Sequence, residues 1–314
     1  MWLLSTDSAE LRSFPSPDNI GDEYAILSHV WDDQEMSFQD LRALQDDFRT
    51  TGRIPRDSVS PKIRHSCLLA QQHGYNWIWI DACCIDKTSS AELSEAINSM
   101  FRFYALAHAC YVFLRDVPGN CILGDKDSAF RKSRWHERGW TLQELLAPKL
   151  VIFISSDWNV IGTKSELADL LEEVTRIPVS VLRFEEDLSD VDIARRMSWA
   201  GTRKTTRLED EAYCLMGIFG VNMPTLYGEG SKAFYRLQEE IMRTSGDASL
   251  FAWGIRRDFN FASEHSYKFN PHHKHLRETS YLLASSPSLF SDSNDIGFTP
   301  GLDDELLEEV SRFS

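Results

Sequence analysis

Short, continuous apolar runs alternate with helically spaced apolar positions through the first half of the chain. Tyr24-Ala-Ile-Leu-Ser28 follows a Gly-Asp turn signal and predicts a buried strand. Trp77-Ile-Trp-Ile80, Cys110-Tyr-Val-Phe-Leu114 and Leu150-Val-Ile-Phe-Ile154 predict three more. Helices fall between them. One runs from Ser37, which fits an N-cap, to Asp47. A second starts at the first-turn proline Pro61 and stops towards Gly74. Leu93, Ile97, Met100, Phe101 and Tyr104 recur at the spacing of an amphipathic helix, and a short helix from Trp140 to Leu146 is closed by Pro148. Strands separated by helices, most of them apolar throughout, predict an α/β fold. Its sheet is expected to be mainly parallel, flavodoxin-like in order and flanked by helices. Ligands in such sheets sit beyond the carboxyl ends of the strands, where Ser28, Asp81 and Asp86 fall.

The rhythm changes after Thr163. Ala212, Leu215 and Met216, then Phe234, Leu237 and Ile241, mark helices without intervening strand signals. Beyond Trp253 the chain turns polar, and His272, His273 and His275 beside Lys274 read as a solvated loop rather than a metal site. The expected organisation is an α/β domain over residues 1–156, a helical extension over 157–254 and a polar, partly flexible C-terminal segment over 255–314. The Ser, Asp and Pro density after Phe259 predicts weak attachment and little core there.

Composition narrows the function classes. The 314 residues are 42% hydrophobic, enough for a sizeable core. A formal net charge of −15 disfavours nucleic acid as a partner, although Arg195, Arg196, Arg203, Lys204 and Arg207 make a local basic stretch. The N-terminus lacks a basic n-region, and no apolar run reaches the ~20 residues of a membrane span. The expected location is therefore cytoplasmic, and the six cysteines are expected as thiols. No CxxC pair occurs, so no metal is expected, and no bound cofactor either. Gly228-Glu-Gly-Ser-Lys232 lacks phosphate-loop spacing, which disfavours ATP hydrolysis.

Three stretches carry a family resemblance. They are Tyr24-Ala-Ile-Leu-Ser-His-Val-Trp31, Gly74-Tyr-Asn-Trp-Ile-Trp-Ile-Asp-Ala-Cys-Cys-Ile-Asp-Lys87 and Arg134-Trp-His-Glu-Arg-Gly-Trp-Thr-Leu-Gln-Glu-Leu-Leu-Ala-Pro148. Together, and in this order, they resemble the fungal heterokaryon incompatibility (HET) domain. Arg196-Met-Ser-Trp-Ala200, the Thr205 to Phe219 stretch and Pro224-Thr-Leu-Tyr-Gly-Glu-Gly230 resemble the helical extension that follows many such domains. The resemblance implies self/non-self recognition and cell-death signalling, with self-association or other signalling proteins as partners. A looser similarity, to Toll/interleukin-receptor (TIR) domains, rests on the Ser-x-x-Trp box after the first strand and on Trp140-Thr-Leu-Gln-Glu144. It implies a TIR-like sheet, NAD as substrate, cleavage of the nicotinamide–ribose bond and Glu144 as the catalytic residue.

The residues themselves leave alternatives open. Trp140 and Glu144 lie one helical turn apart, on the side opposite Leu142, Leu145 and Leu146. That fits a cleft wall, and equally a surface carboxylate packed on a half-buried tryptophan. A placed carboxylate would stabilise the oxocarbenium-like cation of glycosidic cleavage, and Trp31 or Trp140 could stack on a base. Asp81 binds ribose or caps a turn. Ser28 and His29 contact ligand or form a turn. Cys83 and Cys84 read as buried thiols rather than nucleophiles. Two functional classes follow: an NAD glycohydrolase, or a non-enzymatic module acting through assembly or partner recruitment.

Overall fold

The computed structural model describes residues 1–254 apart from 22, 33 and 34, together with residues 282–296. The cluster of His272, His273 and His275 and most of the polar C-terminal segment lie outside these residues.

Seven strands form one sheet. They are β1 (Trp2–Ser5), β2 (Leu11–Ser13), β3 (Tyr24–His29), β4 (Trp77–Ile80), β5 (Ala109–Phe113), β6 (Val151–Ile154) and β7 (Val160–Thr163), in the order β2-β1-β4-β3-β5-β6-β7. The four anticipated strands make its centre, and all their mutual pairings are parallel; Tyr24 lies opposite Trp77 and Cys110 opposite Val151. Counted among themselves these four run 2-1-3-4. The sheet as a whole is mixed rather than mainly parallel, because β2, β1 and β7 join antiparallel at its two ends. These end strands are three or four residues long. Such segments pair through backbone groups and offer too few positions for an alternation to be legible. The sheet also runs past Ser156, the expected edge of the α/β domain, because β7 adds to β6.

Local signals account for the helices around it. Ser37 caps α1 (Phe38–Thr51) in a reciprocal capping box with Asp40. Pro61 opens α2 (Pro61–Gln72), and Gly74 ends the turn after it at φ +86°, where a side chain would be strained. α3 (Ser90–Leu106) buries Ile97, Met100 and Tyr104. It is tied to β3 by the Tyr24 hydroxyl, donating to Phe103 O at 2.5 Å, and by the Tyr104 hydroxyl, donating to Leu27 O at 3.3 Å. Every residue of β3 and β5 is buried, so the sheet is covered on both faces at its centre.

The helical extension contains α5 (Ala168–Thr175), α6 (Val179–Leu182), α7 (Ile193–Ser198), α8 (Asp210–Tyr213) and α9 (Lys232–Thr244), after the short α4 (Thr141–Leu146) of the α/β part. The expected basic stretch is dispersed. Arg196 donates to Ile218 O and lies over Phe219, Arg203 turns inward, and Lys204 faces Glu137. Residues 282–296 differ from the expected weakly attached tail. Ala284 and Phe290 are fully buried, the Gln238 amide bonds both N–H and C=O of Ala284, and Arg176 donates to Ser291 O. Two apolar anchors and a satisfied backbone outweigh the polar composition around them.

Candidate functional site

Glu144 is the organising residue. It sits on α4, whose six residues are all buried, so the surface-carboxylate alternative does not apply. Its Oε2 accepts a hydrogen bond from the Ser28 hydroxyl at the end of β3. The same Ser28 Oγ accepts from the Trp135 indole N–H at 2.7 Å. Burial pushes the Glu144 carboxyl up to about 8, the Asp81 charge adds to the rise, and the bonds from Ser28 and Tyr104 oppose it.

α4 is held at both ends. At its start the Thr141 hydroxyl donates to Trp135 O and Arg138 O, while the buried Arg203 guanidinium donates to Arg138 O at 2.9 Å and to Thr141 Oγ1 at 3.0 Å. Backbone bonds between Glu137, Gly139 and Lys204 add a short parallel bridge to the extension. At its end the buried Lys164 ammonium donates to Leu145 O at 3.0 Å and to Pro148 O at 2.6 Å. A cation on the last carbonyls of a helix satisfies acceptors that have no partner within the helix. Burial lowers Lys164 to about 7.

A cleft of about 380 Å³ opens between the carboxyl ends of β3 and β4 and the extension, where a parallel sheet places its ligands. His29, Trp31 and Asp81 form the sheet wall. Leu93, Ile97 and Met100 of α3 form an apolar wall, and Arg138, Trp140 and Glu144 form a third. Thr206, Arg207, Asp210 and Tyr227 close the cleft from the extension. At the lip, the Trp31 indole N–H donates to Asp81 Oδ2 at 2.7 Å, and the Lys87 ammonium lies 4.0 Å from the Trp31 ring centre. The imidazole of His29 is buried between Glu35, at 3.4 Å, and Asp81, at 3.8 Å. Although burial would raise the Glu35 carboxyl, its bonds with His29 and Lys62 hold it down at about 2. On the far wall, Asp210 accepts from the Tyr227 hydroxyl at 2.9 Å and from Trp140; its carboxyl is raised by burial.

The anticipated residues separate into groups. Trp31, Asp81, Trp140 and Glu144 line the cleft together. Ser28 is fully buried beneath it and holds Glu144 rather than facing the opening. Asp86 is not on the cleft wall; its Oδ1 accepts from Gln39 and from the Thr88 N–H and hydroxyl, a turn-forming role. Cys83 and Cys84 are buried, and burial pushes the Cys83 thiol well up, opposite to what a nucleophile needs. Among the described residues no group of side chains could hold a metal ion. None of the helices described is long and apolar enough to cross a membrane.

The family model described as heterokaryon incompatibility protein (HET) matches residues 24–122. The chain is also 44% identical over 255 residues to the vegetative incompatibility protein HET-E-1 of Podospora anserina, across 78% of its own length. The chain belongs to the HET family. It spans only 18% of that relative's length. A domain of unknown function (DUF8212) matches residues 232–312, and no solved structure matches the chain. The HET match supplies the sheet wall and the α3 wall of the cleft. Arg138, Trp140, Glu144 and the whole extension wall lie beyond residue 122.

Sequence reading missed Arg138, Arg207, Asp210 and Tyr227 as site residues. They were visible inside stretches singled out for the family resemblance. Nothing local to them pointed inward, because their partners come from other segments.

Proposed function

We propose that this HET-family chain is a self/non-self recognition and cell-death signalling module whose cleft cleaves the nicotinamide–ribose bond of NAD, with Glu144 as the catalytic carboxylate. One observation carries the reading: a buried carboxyl, raised to about 8, on the wall of a cleft that also presents Trp31 and Trp140. The incompatibility named in the 44% identical relative supports the signalling output.

The chemistry needs one well-placed base. Nicotinamide leaves with the bonding electron pair as a neutral molecule, and a cation develops on the ribose. Water then attacks C1′ and gives up a proton, yielding ADP-ribose. Ionised Glu144 faces the developing cation and takes the proton of the attacking water. A general base works best when its pKa lies near the operating pH, which burial achieves here. The positive nicotinamide ring itself favours the ionised carboxylate as it enters. Trp140, beside Glu144, offers a face on which a ring can stack.

The test is nicotinamide release from NAD by purified protein, dilute and under crowding, comparing Glu144→Gln with Glu137→Gln. Glu137 is exposed and faces Lys204 at 3.7 Å, away from the cleft wall. Loss of release in the first variant alone, at equal melting temperature, supports the enzyme. Absence of release by the wild type in every assembly state would leave the non-enzymatic module, acting by self-association or partner recruitment, as the function.

A further inference from the structure

The two arginines of the cleft do not share the role of Glu144. Arg207 lies on the extension wall with its guanidinium 4.4 Å from the Tyr227 ring centre. Arg138 lies on the adjoining wall and donates at 3.3 Å to the hydroxyl of Thr206, the residue that precedes Arg207. Among the described residues neither forms an ion pair with a carboxylate. Both stay within electrostatic reach of carboxylates, Arg138 of Glu144 and Arg207 of Glu209 and Asp210, but no close pair occupies either guanidinium fork. Asp210 shares this wall, and its carboxyl accepts from Tyr227 and Trp140.

Guanidinium pairs with a neighbouring hydroxyl match phosphate oxygens, because planar N–H forks meet them two at a time. We propose that Arg207, Arg138 and Thr206 form an anion grip that holds the pyrophosphate of the dinucleotide whose nicotinamide end lies against Glu144. The inference rests on the NAD reading of the same cleft. It assigns the helical extension a direct part in substrate binding: the α/β part supplies the reacting carboxylate and Arg138, and the extension supplies Thr206 and Arg207. The backbone bridge from Glu137 and Gly139 to Lys204 fixes the two halves of the grip relative to each other. Arg203 reinforces this join by reaching from the extension to Arg138 O.

Binding, rather than turnover, tests this. ADP-ribose carries the pyrophosphate and lacks nicotinamide; adenosine lacks phosphate. Calorimetric titration of the full chain should show ADP-ribose affinity falling about tenfold or more in Arg207→Gln and in Arg138→Gln, the loss expected for a charge-assisted hydrogen bond, with adenosine affinity unchanged. Arg207→Lys, which keeps the charge without the fork, should fall between. Arg207 is exposed, so its variants should melt with the wild type. Equal ADP-ribose affinity in wild type and Arg207→Gln overturns the grip, as does a wild type that binds neither ADP-ribose nor inorganic pyrophosphate. The two readings fail separately. Arginine-dependent ADP-ribose binding without nicotinamide release removes the enzyme and keeps the grip. Release with an unchanged KM in Arg207→Gln does the reverse.

Discussion

The hydroxyl of Ser28 donates to the carboxyl of Glu144, joining the end of β3 to α4 across 116 positions of sequence. Because Ser28 Oγ simultaneously accepts from the Trp135 indole, the hydroxyl is fixed in direction and the carboxyl is fixed with it. A group buried this deeply is costly to leave without partners. The sheet thus sets the position of Glu144, and the cleft walls set its charge.

Ser28→Ala removes a bond that lowers the pKa of Glu144 and orphans two buried polar groups. It should destabilise the fold by about 1–3 kcal/mol. It should also move the rising limb of any NAD-cleaving activity above pH 8, since burial and Asp81 then act with less opposition. Urea melts and a pH profile measure the two effects. A profile that stays in place would show that Ser28 does not set the proton affinity of the site.

Glu144 also makes a pH signature in stability. Its folded pKa of about 8 lies above the ordinary 4.5, so the folded state holds the proton longer than the unfolded chain does. The contribution is full below 4.5 and is lost as pH rises through 8. The stability of wild type minus that of Glu144→Gln should therefore fall by a few kcal/mol, roughly, between pH 5 and 8 and then level off. A flat difference across that window would mean that Glu144 is ionised throughout.

Lys164 predicts the opposite slope in a different window. Burial lowers it from 10.5 to about 7, so below pH 7 the folded state carries the desolvation of its charge, and this cost is relieved as pH rises towards 10.5. Relative to Lys164→Met, the wild type should gain stability between pH 7 and 10. Guanidinium melts of both proteins at pH 6 and pH 9 decide the sign. No gain would mean that water reaches the ammonium.

The parts of the molecule legible in sequence were those with a local cause. The four apolar runs became the parallel strands, because each is buried on both faces. Ser37, Pro61 and Gly74 marked helix ends because caps and glycine turns act within a few residues. The end strands β1, β2 and β7 were not legible, because backbone pairing with a distant neighbour leaves little trace in side-chain type. The same division holds at the cleft. Glu144 and Trp140 were readable as one helical turn, whereas the Ser28–Glu144 bond and the arrival of Arg207 and Tyr227 depend on long-range packing. Asp86 was misplaced for a related reason: an aspartate just past a strand serves a turn as readily as a ligand.

The join between the sheet part and the extension can be tested at a single glycine. A Cβ on Gly217 would stand 2.1 Å from Phe101 Cβ and 2.7 Å from its Cγ. Phe101 belongs to α3, the helix that also gives Leu93, Ile97 and Met100 to the cleft. Gly217→Ala therefore forces the turn at Met216–Ile218 away from α3. Overpacking of this kind costs about 1–3 kcal/mol, and here it also spreads the cleft. The variant should melt earlier and show a larger rise in KM than fall in kcat, because the extension wall moves while Glu144 stays anchored to Ser28. Gly246→Ala, with nothing within 4 Å of its added carbon, should stay within ~0.5 kcal/mol of wild type. The identity of the clashing atom sharpens the test. The nearest contact is a Cβ, which alanine retains, so adding Phe101→Ala should not rescue Gly217→Ala. Recovery of the melting temperature in the double variant would place the conflict at the phenyl ring, and the close approach of the two backbones would then not be what holds the extension to α3.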